Sequence, residues 1–141
     1  MKRIILLAFL CTTTLVMAQR INHVQEAIAN YDYEAALTLI AKEKPTIPLL
    51  LQKGKAQRGL GMNTEALSTY QEIITNDTAN TRAYIEAAEC CRSLAKYQQA
   101  LKYYEQALDL NPENKYVRIQ YIGLLLSLQK FQDALGESSL M

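Results

Sequence analysis

A chain of 141 residues has room for one domain. Half of it is apolar, with only 5 glycines and 3 prolines, which excludes a disordered or low-complexity chain. The net charge of +1 excludes a global electrostatic footprint for nucleic acid, which needs clustered cations to displace counterions.

The first element reads as an address. Met1-Lys2-Arg3 is a short positive start, Ile4 to Leu10 is an apolar run, and Val16 and Ala18 stand at the −3 and −1 positions of a cut before Gln19. This layout is that of a secretory signal peptide over residues 1–18. The run is too short to span a bilayer, which takes about 20 residues. A retained anchor or a buried first helix is the alternative. A lipoprotein reading through Cys11 is disfavoured by the bulky Leu10 before it. The lysine-arginine start and short apolar core fit a bacterial signal. The expected location is therefore the periplasm, or the outer membrane of a Gram-negative bacterium. Without Lys2 and Arg3, 13 basic residues would face 14 acidic ones. No later run is apolar enough to span a membrane.

Next comes an atypical helical unit over about 20–45, then a repeat. Ala-Leu occurs at Ala66-Leu67, Ala100-Leu101 and Ala134-Leu135, at steps of 34 residues. Leu60, Leu94 and Leu128 keep the same interval, as do Asn63, Tyr97 and Phe131, then Tyr70, Tyr104 and Ser138, and Gly54, Ala88 and Ile122. Such a period signals stacked supersecondary units. The units fall at about 20–45, 47–80, 81–114 and 115–141, the last incomplete.

Each unit reads as two helices. Tyr84, Ala87, Ala88 and Cys91 fall at helical spacings on one stripe. A break follows at Ala95-Lys96, and Ala100, Tyr104, Ala107 and Leu108 form a second stripe. Asn111-Pro112 stops it, and Asn114 is placed to cap the next helix. Small residues at Ala88 and Ala100 let two helices cross closely, while Tyr84 and Tyr104 fill the gaps between hairpins. Period-two alternation is not sustained, and no hairpin dipeptide appears.

Tyr84, Ala88, Ala100, Tyr104, Ala107 and Pro112 together resemble the tetratricopeptide repeat. In 47–80, Gly54, Leu60, Ala66 and Tyr70 fit, while Ile73 and Thr78 depart from the pattern. In 115–141, Gly123 lies one place late and Ser138 replaces the aromatic. In the first unit, Tyr33 to Leu37 resembles Tyr97 to Leu101, but Ala36 precedes Ala66 by only 30 residues, so a shorter or differently bent turn is expected near Pro45 and Pro48. The resemblance implies an all-α fold over 19–141: a right-handed superhelical stack of antiparallel helix pairs, three and a half to four hairpins, with one concave face.

It also implies a binding groove lined by the first helix of each hairpin. In the 34-residue frame the groove residues are Leu51, Lys55, Arg58, Arg82, Ile85, Glu89, Arg92, Tyr116 and Ile119. Lys55, Arg58, Arg82 and Arg92 form a basic patch suited to carboxylates. The expected partner is a protein or peptide with acidic and apolar residues, held by a scaffold or adaptor. The fixed lysine-asparagine set with which some relatives clamp a peptide C-terminus is not found. Leu124, Leu125, Leu126, Leu128 and Leu135 end the chain without a polar cap. That leaves open a longer protein with an enzyme or signalling domain beyond Met141, or self-association through the last unit.

Catalytic patterns are absent. His23 is the single candidate base, and it is expected to be core or partly exposed filler. No nucleophile elbow or phosphate-cradling loop occurs. Glu86 and Glu89 share a solvated helical side. Cys90 and Cys91, being adjacent, are expected as small buried side chains rather than a disulfide, with a redox or intermolecular role as the alternative. The expectation is no catalysis, no cofactor and no metal. Tyr103 and Tyr116 are the tyrosines expected to be exposed. Asp77-Thr78-Ala79 is expected as an inter-unit turn, with threonine glycosylation as the alternative.

Overall fold

The computed structural model describes residues 18–141, and the segment read as a signal peptide lies outside them apart from Ala18. Among the described residues every regular element is an α-helix. The first, α1, is helical from residue 18 to 29. It is followed by α2 (Tyr33–Ile40), α3 (Ile47–Gly59), α4 (Asn63–Asn76), α5 (Thr81–Ser93), α6 (Tyr97–Leu110), α7 (Lys115–Ser127) and α8 (Phe131–Ser138). Contacts divide the chain into two compact units, one ending at Leu60 and the other running from Gly61 to Met141.

The 34-residue interval reappears in the backbone as punctuation. Thr46, Asn80 and Asn114 are the N-caps of α3, α5 and α7. Asn80 and Asn114 each accept a hydrogen bond from the backbone N–H three residues on, both at 3.1 Å. That satisfies one of the donors a helix start leaves without an intrahelical partner. Gly61, Ala95 and Gln129 keep the same interval and all have φ between +56° and +74°. Ala95 follows α5 as the left-handed residue of a Schellman-type ending, with the Lys96 N–H on the Cys91 carbonyl at 2.8 Å and the Ala95 N–H on the Arg92 carbonyl at 3.0 Å. Gln129 ends α7 in the same way, through Lys130 and Leu125. Tyr31, at φ 61°, ends α1 likewise.

In the first unit, Val24, Ile28, Ala36, Ile40, Leu49 and Ala56 form one apolar cluster drawn from α1, α2 and α3. Asp32 caps α2 by accepting from the Ala35 N–H at 3.1 Å. Gly59 lets the Tyr33 ring lie against the end of α3, since a Cβ there would stand 2.3 Å from the ring. The irregularity of this unit falls in the helix as well as in the turn, which is longer, not shorter, than the four-residue links after α4 and α6. α2 has 8 residues where α4 and α6 have 14, and the link from α2 to α3 spans residues 41–46. Six residues of helix are thus removed and two are added to the link, a net shortening of four residues. Pro45 disfavours the helical conformation at Lys44, so α2 cannot run on into α3's approach.

In the second unit α4, α5, α6, α7 and α8 pack each against the next. Ala66, Ala100 and Ala134 hold one equivalent, buried position on α4, α6 and α8. Ala87, Ala88, Cys90 and Cys91 are buried on α5, and both cysteines are free thiols. Tyr70 and Tyr104 are fully buried, as the packing argument requires. Tyr84 is buried with its hydroxyl donating to the Thr78 carbonyl at 3.3 Å.

Candidate functional site

First helices carry the residues expected to bind. On α5, Arg82, Ile85, Glu89 and Arg92 recur at steps of three and four, which places them on one stripe. Arg82 is exposed, and Ile85, Glu89 and Arg92 are half-buried. On α7, Tyr116 and Ile119 stand 57% and 55% exposed, while their neighbours Val117 and Arg118 are buried. On α3, in the first unit, Lys55 is exposed and Leu51 and Arg58 are half-buried.

Arg92 is not a free cation. Its Nη1 donates to Gln120 Oε1 of α7 at 2.8 Å and to the Tyr104 hydroxyl of α6 at 3.3 Å. The Tyr104 hydroxyl donates in turn to Glu89 Oε1 at 2.5 Å, and Glu89 Oε2 lies 3.5 Å from Arg92. One polar chain therefore ties α5, α6 and α7 together. The bond to Tyr104 is the main cause holding the Arg92 guanidinium above its ordinary pKa, and Glu89 adds to it. Burial pushes the Tyr104 hydroxyl well above the usual tyrosine value, and donation to Glu89 pushes it further. The basic patch of the second unit is thereby reduced to Arg82, with Arg92 already satisfied by the fold.

A second polar group was not legible in the repeat frame. Arg118 is only 7% exposed and donates to Glu137 Oε2 of α8 at 2.5 Å and to the Pro112 carbonyl at 2.7 Å. Beside it the Tyr121 hydroxyl donates to Glu105 Oε1 at 2.6 Å. Burial, then the bond to Glu105, raises the Tyr121 pKa far above its usual value. The available signal was positional: Arg118 occupies the column of Leu50 and Tyr84, which faces inward.

Other expectations are adjusted by side-chain placement. His23 projects outward with its side chain 58% exposed, 3.9 Å from Glu26; the buried residue there is Val24, one position on. Tyr103 is half-buried rather than exposed: its ring lies 6.3 Å from that of Tyr84, and its hydroxyl accepts from Gln71 at 3.0 Å. Asp77 Oδ1 accepts from the Ala79 N–H at 3.2 Å and Oδ2 from Asn80 at 3.0 Å, which makes Asp77 to Asn80 a closed turn. Among the described residues no group of three or more His, Cys, Asp or Glu side chains converges as metal ligands would, and no helix is long and apolar enough to cross a membrane.

Comparison with known proteins agrees with this architecture. The family model described as tetratricopeptide repeat matches residues 92–137. The chain is 30% identical over 89 residues to human "Tetratricopeptide repeat protein 6", a match covering 63% of this chain and 16% of that protein. The chain thus spans under a fifth of the length of that curated relative. A tetratricopeptide repeat protein structure from Parabacteroides merdae superposes with a TM-score of 0.80 at 23% identity, over 88% of this chain and 51% of that one. The first tetratricopeptide domain of Spaghetti (RPAP3), bound to the HSP90 peptide SRMEEVD, gives a TM-score of 0.74 at 20% identity, over 79% and 92% of the two chains. The fold is therefore that of a tetratricopeptide-type α-solenoid, and residues 92–137 are similar to the tetratricopeptide repeat model.

Proposed function

We propose that this protein is an exported interaction module that holds a peptide or partner domain on the first-helix face of its repeats and carries out no chemistry on it. One observation carries the reading. Tyr116 and Ile119 stand in solvent on α7, beside the Arg82–Ile85–Glu89–Arg92 stripe of α5 that the Arg92–Gln120 bond ties to it. Repeat packing makes no use of Tyr116, Ile119 or Arg82. An exposed large aromatic and branched aliphatic on α7, with the exposed Arg82 on α5, suit a partner with apolar and acidic side chains. That a related fold takes the acidic peptide SRMEEVD supports the peptide class. Export rests on the leader-like start of the sequence, with the periplasm or the outer-membrane face as destination.

The test is capture from envelope extract by the chain from Gln19 onward, compared with a Tyr116→Ala/Ile119→Ala/Arg82→Glu variant of unchanged helicity. Loss of the captured protein in the variant supports the site; equal capture removes these residues from it. Cell fractionation checks the location, and a cytoplasmic pool without leader cleavage overturns export.

The last hairpin favours a second reading, self-association. Leu135 is 68% exposed, whereas Leu101, at the equivalent place on α6, is 3% exposed under the following repeat. Leu126 and Phe131 extend this uncovered surface. Sedimentation across a concentration series decides it, and a mass independent of concentration excludes it.

A further inference from the structure

The shortened first unit leaves a cleft. α2 is six residues shorter than α4 and α6, and Ile40 stands where Tyr70 and Tyr104 fill the corresponding space. Both deficits fall at one place. A cavity of about 410 Å³ opens there between α2, the 41–46 link and α3. Its apolar wall is Leu37, Ile40, Leu49 and Leu50, and Lys44 and Lys53 also line it. The volume falls within the range of about 300–1,000 Å³ usual for small-molecule sites.

The charges choose the ligand. Glu43 is the one carboxylate in the lining, and it is engaged by Arg20 at 2.7 Å. The two lysines thus face the cleft with no carboxylate left over among its lining residues. The equivalent concavity between α6 and α7 differs in both size and sign. It is about 300 Å³ and is lined by Glu105, Asp109 and Glu137, with Leu108 where the first unit has Lys44. Its Glu105 and Glu137 are already matched by Tyr121 and Arg118.

From this we infer that the cleft of the first unit binds an aliphatic carboxylate: a medium-length acyl chain lying on Leu37, Ile40, Leu49 and Leu50, with its carboxylate between Lys44 and Lys53. Methylene burial supplies the attraction. The lysines fix the orientation and reject uncharged or cationic amphiphiles of the same length. This site is separate from the α5–α7 surface, so the peptide reading and this one stand or fall independently.

The test is titration of the full chain with decanoate below its micelle concentration, followed by backbone NMR and calorimetry. Saturable binding is expected, with shifts confined to residues 37–57. A Lys44→Glu/Lys53→Glu variant should weaken binding by about tenfold or more. Ile40→Tyr, which restores the tyrosine of α4 and α6, should abolish it while helicity is retained. Absence of saturable binding overturns the inference. So does equal binding of decanol, unchanged affinity in the lysine variant, or shifts clustered around Glu105 and Glu137. A short peptide ending in leucine that displaces decanoate at lower concentration overturns the acyl assignment in favour of a peptide terminus.

Discussion

Arg118 on α7 and Glu137 on α8 meet at 2.5 Å, and this pair fastens the final helix to the rest of its unit. The α8 helix has 8 residues and buries only Ala134, so little else holds it. Glu137→Ala leaves the buried guanidinium with the Pro112 carbonyl alone. Glu137 itself is partly exposed, which moderates the effect, and a loss of about 1–3 kcal/mol is expected. Arg118→Met should cost less, because the abandoned carboxylate can reach water. Urea unfolding of both variants checks the order, and hydrogen exchange should show α8 opening first.

Alkaline pH should destabilise the fold through two tyrosines. Tyr104 and Tyr121 have folded pKa values raised by burial and by donating to Glu89 and Glu105. Unfolded tyrosines ionise near pH 10. Above that point the unfolded state has lost protons that the native state keeps, so stability falls as pH rises; below it the contribution is fully present. Denaturation midpoints between pH 8 and pH 11 should decline for the natural protein and decline less for a Tyr104→Phe/Tyr121→Phe variant. That variant should also lose about 1–2 kcal/mol at neutral pH from its severed hydrogen bonds.

The left-handed turn positions predict opposite signs for opposite changes. Ala95 pays for φ +56° with its Cβ, so Ala95→Gly should stabilise by roughly 0.5–1 kcal/mol. Gly61 already has the permissive residue at φ +74°, and Gly61→Ala should cost about 1 kcal/mol although nothing lies near its missing side chain. Thermal unfolding of the two variants side by side tests this.

Cys90 and Cys91 should resist alkylation in the native protein. Both are fully buried, and desolvation raises the Cys91 thiol pKa, with Lys96 opposing weakly. Little thiolate forms near neutral pH. Mass spectrometry after iodoacetamide treatment should show the peptide carrying both cysteines unmodified until denaturant is added. Rapid native labelling would contradict the packing of α5.

The helical architecture was legible because its period is carried by steric necessity. Ala66, Ala100 and Ala134 must be small wherever two helices cross, and Asn80 and Asn114 must cap wherever a helix begins. The first unit was less legible because its second helix ends at Ile40, a point that no repeated residue marks. The surface was legible only by position. The frame placed Arg92 on the binding stripe, yet could not show that Tyr104, Glu89 and Gln120 converge on it from three helices. Arg118, which shares a column with the buried Leu50 and Tyr84, went unread, and nothing in the frame reveals the Glu137 that makes its burial tolerable. Hydrophobic and small residues announce themselves by spacing, whereas polar partners are chosen by reach.

The successive packing of α4 on α5, α5 on α6, α6 on α7 and α7 on α8 has a kinetic corollary. Most tertiary partners in this unit are close along the chain, so little loop-closure entropy must be spent before contacts form. Such a segment can gain structure progressively while its C-terminal residues are still being synthesised, with each completed pair of helices a template for the next.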